Sequence, residues 1–188
     1  PSNIVPYNSI AFIPSYKCSV MMNSLFRNIK ENANLDLLEE SNTKDEYEIM
    51  VEDVKLCKQL GCDGVVLGLL NMDGTIDIAR TSGLVELAYP METTFHRAFD
   101  RCLDPLEAME ELIEMGCERI LTSGQQPTVN DGVELIAELN EKADGRIIIM
   151  PGSGVRKENI KMLAEKTGCT EFHSSLRSKI KSPMLYLH

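Results

Sequence analysis

Four short stretches hold the residues best suited to chemistry, and they recur at nearly even intervals. They are Thr94-Phe95-His96-Arg97-Ala98-Phe99-Asp100, Thr122-Ser123-Gly124-Gln125, Met150-Pro151-Gly152-Ser153-Gly154 and Phe172-His173-Ser174-Ser175. A histidine titrates near neutrality, so His96 could serve as a general acid or base or as an orienting hydrogen bonder, with Asp100 tuning it. The open alternative is a buried histidine with its hydrogen bonds satisfied. Gly152 and Gly154 expose backbone N–H groups unobstructed by a Cβ, and a helix is expected to follow. Ser153, between them, completes a cradle for an anion at the positive end of that helix. A plain tight turn is the competing reading. His96 and Arg97 are adjacent, so on a strand they face opposite sides. His173 recurs at the equivalent place on the last strand, which allows an inward pair of imidazoles. Ser174 gives the last loop a second polar group beside the cradle.

The six cysteines are scattered without a Cys-x-x-Cys pair. With no secretion signal in view they read as reduced thiols rather than a disulfide framework. Cys117 and Cys169 stand just before apolar runs, at the opposite end of a βα unit from His96 and His173, so one metal site cannot easily join them. Met50, Met109 and Met115 fall on the apolar faces of helical stretches and read as packing.

From residue 45 onward, β-rich runs alternate with amphipathic stretches closed by glycine. Strands are predicted at Gly64–Leu70, Thr93–Ala98, Arg119–Thr122, Arg146–Met150 and Glu171–Ser174. Centred on Val65, Thr94, Ile120, Ile147 and Phe172, they are spaced by 29, 26, 27 and 25 residues. Helices are predicted at Glu46–Leu60, Leu106–Met115, Gly132–Glu141 and Lys157–Lys166, with Asp104-Pro105 as a cap and first turn. Short, regular βα units imply a parallel sheet, and the even period favours a (β/α)8 barrel over a doubly wound sheet. In a barrel the strand C-termini, where the four polar stretches fall, line the ligand end.

Residues 1–44 are Asn- and Pro-rich and show no clear βα unit. A barrel needs roughly 250 residues, so 188 residues predict an incomplete barrel with five clear βα strands. The expected division is an atypical segment over 1–44, barrel over 45–178 and a tail over 179–188. Pro1 in place of Met points to a fragment or a truncated product. The net charge of −10 lies almost wholly in the βα portion and argues against nucleic acid as a partner. No window resembles a membrane span or signal peptide. The expected setting is cytoplasmic, with the nucleus and homo-oligomerisation left open.

The stretches Thr93–Asp100, Arg119–Gln125, Gly145–Gly154 and Glu171–Ser175, with GCDGVVLGLL and Asp73-Gly74 before them, resemble the copper homeostasis protein CutC family over about residues 45–178. The resemblance implies a (β/α)8 barrel, a role in copper tolerance or trafficking, and copper(I) binding, with no established enzymatic activity. It carries His96, Arg97, Ser123, Gly124, Gly152, Gly154, His173 and Ser174 over as strand-end positions. Ser153 stands where the family usually has Gly. The cysteines proposed as copper ligands lie on the family's first two strands, so no metal ligand is assigned here. The alternative expectation is an enzyme or binder for a small phosphorylated or otherwise anionic ligand.

Overall fold

The computed structural model describes residues 12–13, 17–21 and 44–175. The sheet contains β1 (Phe12–Ile13), β2 (Lys17–Met21), β3 (Gly64–Leu67), β4 (Glu92–Phe95), β5 (Arg119–Thr122) and β6 (Ile148–Pro151), hydrogen-bonded in that order. β1 pairs antiparallel with β2, and every later pairing is parallel. The helices are α1 (Lys44–Gln59), α2 (Ile78–Ala88), α3 (Pro105–Glu114), α4 (Val133–Ala143) and α5 (Ile160–Thr167). Strand order equals chain order from β2 to β6, without the reversal that defines a doubly wound sheet.

Alternation along the strands decides which face the helices cover. Val65, Leu67, Phe95, Ile120 and Ile149 share one cluster with the helical residues Val54, Leu84, Leu112, Ile136, Leu139 and Leu163. Each large side chain buried there contributes about 1.5–3 kcal/mol. The opposite face carries Thr94, Arg119 and Ile148 in register, and above them Leu121 and Met150. Helices on one face and a second, partly polar face are the layering of a barrel wall. Among the described residues the sheet does not close on itself.

Helix starts follow their caps. Asp104 Oδ1 accepts from the Leu106 and Glu107 amides at 2.9 and 3.1 Å, and Pro105 occupies the first turn of α3. Asp77 caps α2 by accepting from the Arg80 amide at 3.1 Å. Gly83 lets α2 approach α1 closely: a Cβ there would lie 2.8 Å from the Tyr47 hydroxyl.

Four differences from expectation stand out. Helix α2 was not anticipated, because Thr81-Ser82-Gly83 is a run of weak helix formers. Strand β2 lies within the segment that showed no βα unit, and with α1 and β3 it makes one. Its five residues KCSVM have no glycine-closed amphipathic stretch beside them in the sequence to mark a βα unit. The segment Glu171–Ser174 is not a strand; it runs beside β6 with the His173 amide donating to Pro151 O at 2.9 Å. Finally, α5 starts at Ile160 rather than Lys157, because Asn159 Oδ1 accepts from the Arg156 amide at 2.7 Å and holds a turn there.

Candidate functional site

The C-terminal ends of β4, β5 and β6 bring most of the polar stretches together, and Asp100 is their hub. β4 stops at Phe95, His96 caps a short 3₁₀ turn over Arg97–Arg101, and that turn swings Asp100 back over β5. Its carboxylate accepts from Arg97 Nε at 2.7 Å, Thr122 Oγ1 at 2.6 Å, and the amides of Ser123 and Gln125 at 2.9 and 3.1 Å. Asp100 is nearly buried, with 8% of its side chain exposed, whereas Arg97 retains 43%. Asp100 was expected to tune His96. Instead it orients Arg97 and shapes the loop after β5.

Arg97 Nη2 donates to Ser123 Oγ at 2.7 Å. Ser123 Oγ has one proton and two acceptors in reach, Gln126 O and Asp100 Oδ2, and the closer Gln126 O receives it. Gly124 serves packing: its φ is +70°, and a Cβ would stand 2.3 Å from Gly132 O. Only glycine fits where two backbones meet this closely.

His96 and Arg97 were expected on opposite faces of a strand, but both lie past the end of β4, so strand alternation does not place them; they lean instead toward neighbouring strand ends. His96 leans toward β3, where the missing Cβ of Gly68 leaves room for the ring; a Cβ there would lie 2.6 Å from His96 Nδ1. Nδ1 accepts from the Ala98 amide at 3.1 Å. Burial pushes the His96 pKa below its usual value, and does the same to His173. The two histidines stand three strand steps apart, roughly 14 Å along the sheet. They are not an adjacent pair.

The Gly152–Gly154 turn differs from the expected cradle. It does not run into a helix N-terminus, since the turn at Arg156–Asn159 intervenes. The Gly152 amide is spent on Thr122 O at 2.8 Å, and a Cβ at Gly152 would meet Leu121 Cδ1 at 2.6 Å. Ser153 adopts φ +68° and Gly154 φ +98°, both past the end of β6 at Pro151. Ser153 Oγ donates to Pro127 O at 3.1 Å, and Ser174 Oγ to Val155 O at 2.7 Å. Both hydroxyls therefore fasten loops.

The lower end of the sheet holds a constellation that the sequence reading missed. Arg119 reaches Glu92 at 2.6 Å through Nη1 and Glu171 at 2.6 Å through Nε. Burial works against the guanidinium charge, but hydrogen bonds and charge from Glu171 and Glu92 outweigh it and raise its pKa. The signal was present: the runs ETTF, RILT and EFHS each open on a charged residue.

Donor chemistry for a metal is sparse. Among the described residues no group of three or more His, Cys, Asp or Glu side chains gathers as a metal site. Cys57, Cys62, Cys102, Cys117 and Cys169 form no disulfide, and of these all but Cys62 are buried. Burial pushes Cys102 up to about 11 and Cys117 up to about 12, and raises Cys169. A soft metal needs thiolates, which these positions disfavour. Among the described residues, these buried thiols do not by themselves assemble a copper(I) centre.

A sequential parallel βα sheet, with helices on one face and polar strand ends, defines a barrel-type α/β protein. The chain matches the CutC family over residues 41–178. It is 51% identical over 141 residues to a family protein CutC of Chromobacterium violaceum, covering 75% of this chain and 57% of that protein. It is 54% identical over 144 residues to one of Parabacteroides distasonis, covering 77% and 59%. A crystal structure from Streptococcus agalactiae, provisionally named a copper homeostasis protein CutC, superposes with TM-score 0.70 at 30% identity, over 72% of this chain and 67% of that one. The chain belongs to the CutC family. It spans between half and two thirds of the length of the curated relatives it matches. No helix among the described residues is long and apolar enough to cross a membrane.

Proposed function

We propose that the chain belongs to a protein of cellular copper homeostasis working in the cytoplasm, with copper(I) as its cargo. Family membership and the provisional name of the Streptococcus agalactiae relative support this reading. Its test is a competition titration of the reduced chain with Cu(I) against a chromogenic chelator. Retention beyond a small-thiol control of equal thiol content is the expected result; parity with that control contradicts copper binding by this chain.

A second reading rests on one observation: Arg97, at the end of β4, keeps 43% of its side chain exposed while the carboxylate that holds it is nearly buried. Asp100, the buried acceptor there, is saturated by Arg97, Thr122, Ser123 and Gln125. Arg97 keeps an exposed edge, and the amides of Ser123 and Gln125 already show that loop backbone here can wrap a carboxylate. A rim of this kind suits a small phosphorylated or carboxylated ligand, bound by Arg97, Ser153 and Gly154, with His96 and His173 on the flanks. Thermal melting in inorganic phosphate and sulfate tests it. Saturable stabilisation is expected, and a melting temperature that neither anion raises counts against the reading.

A further inference from the structure

We propose that His96 is locked as the Nε2–H tautomer and donates a hydrogen bond to an anionic oxygen at the end of β4; this rests on the anion-binding reading above and assigns a role within it. The Ala98 amide can only donate, and it points at His96 Nδ1 from 3.1 Å. Nδ1 is therefore the acceptor nitrogen of the neutral ring, and the proton sits on Nε2. The tautomer follows from geometry because a backbone N–H cannot exchange roles.

The ring's position is equally constrained. It rests over Gly68, just past the end of β3, in space that any Cβ would take, and meets Phe95 edge-on with centroids 6.0 Å apart. Nε2 has no protein partner among the described residues. Nor is it sealed off: among the described residues, the one fully buried side-chain polar atom without a partner is Thr81 Oγ1. A fixed donor open at the ligand end of a βα sheet asks for an acceptor. Arg97, one residue on, supplies positive charge on the other flank of the same strand end, held there by Asp100. The chemistry recognised is an oxyanion, carboxylate or phosphate. A metal ion is excluded at this nitrogen, since Nε2 has no lone pair to give in this tautomer.

The experiment is ¹⁵N–¹H long-range NMR of the imidazoles in the full 188-residue chain at pH 7, with inorganic phosphate as the probe and acetate as a parallel arm. His96 is expected to show a protonated Nε2 and an unprotonated Nδ1, and its Nε2 resonance to shift saturably with one of the two anions. His96→Leu is expected to weaken that anion about tenfold, and His96→Gln, which restores an N–H donor, to recover most of the loss. A protonated Nδ1 in the free chain overturns the inference. Saturable anion binding sensed at the Ser153 and Gly154 amides but silent at His96 overturns it too, while leaving the anion-binding reading intact. No saturable response to either anion anywhere overturns both.

Discussion

Asp100 and Arg97 form a 2.7 Å ion pair within a single 3₁₀ turn, and the same carboxylate binds Thr122 at the end of β5 and Ser123 and Gln125 in the loop that follows. The pair thus joins the end of β4 to the loop after β5. A carboxylate so surrounded is a structural organiser, and its partner guanidinium is aimed by it.

Asp100→Asn keeps the size and removes the charge. It should cost about 2 kcal/mol, within the range for hydrogen bonds to a charged group, and free the loop after β5. The amides of Ser123 and Gln125 should exchange with solvent faster while those of α4 do not change. Equal protection in variant and parent would mean the loop is held by something else.

Arg119 is a second test of the same kind at the other end of the sheet. Arg119→Met leaves Glu92 and Glu171 facing each other without their counter-charge. Urea unfolding should show a loss of about 2 kcal/mol, from hydrogen bonds between charged groups that leave two partly exposed carboxylates behind. The double variant with Glu171→Gln should recover part of that loss.

Glycine substitutions separate conformation from contact. Gly116 has φ +85° and open space around its missing Cβ, whereas Gly124 has φ +70° and backbone 2.3 Å away. Gly116→Ala should cost about 1 kcal/mol, and Gly124→Ala roughly 3 kcal/mol or more. Equal costs in thermal or urea melts would show that the Gly124–Gly132 contact relaxes freely.

Two sets of groups set the pH limits of stability. His96 and His173 have depressed pKa values in the fold, so the unfolded chain binds more protons below about pH 6.5 and stability falls as pH drops through that value. Cys102 and Cys117 are raised from 9.0 to about 11 and about 12. Their contribution is complete below pH 9 and is lost as pH rises toward those values. Urea midpoints across pH 5 to 11 should peak between the two limits. Converting His96 and His173 to Asn should flatten the acid limb, and an unchanged limb would assign it to other groups.

The register of sequence and structure differs by element for physical reasons. β5 was legible to the residue because Arg119–Thr122 is bounded by Cys117-Glu118 and Ser123-Gly124. α3 was legible through Asp104-Pro105. α2 was hidden by Thr81, Ser82 and Gly83, whose helical state is settled by packing on α1 rather than by propensity. His96, Arg97 and Ser123 were legible as site candidates because strand ends in a βα fold collect polar residues. The partners were not: that Asp100 would bind Arg97 rather than His96, or that Arg119 would reach Glu171 past β6, depends on tertiary placement that spacing does not encode.

The most direct test of the account is amide chemical-shift mapping of the 188-residue chain titrated with inorganic phosphate, alongside Arg97→Gln. The expected result is saturable shifts confined to Arg97, Ser153, Gly154 and their neighbours at the strand ends, and their loss in the variant. Shifts that are absent, that scatter over the surface without saturating, or that persist unchanged in Arg97→Gln would contradict an anion site at the ends of β4 and β6.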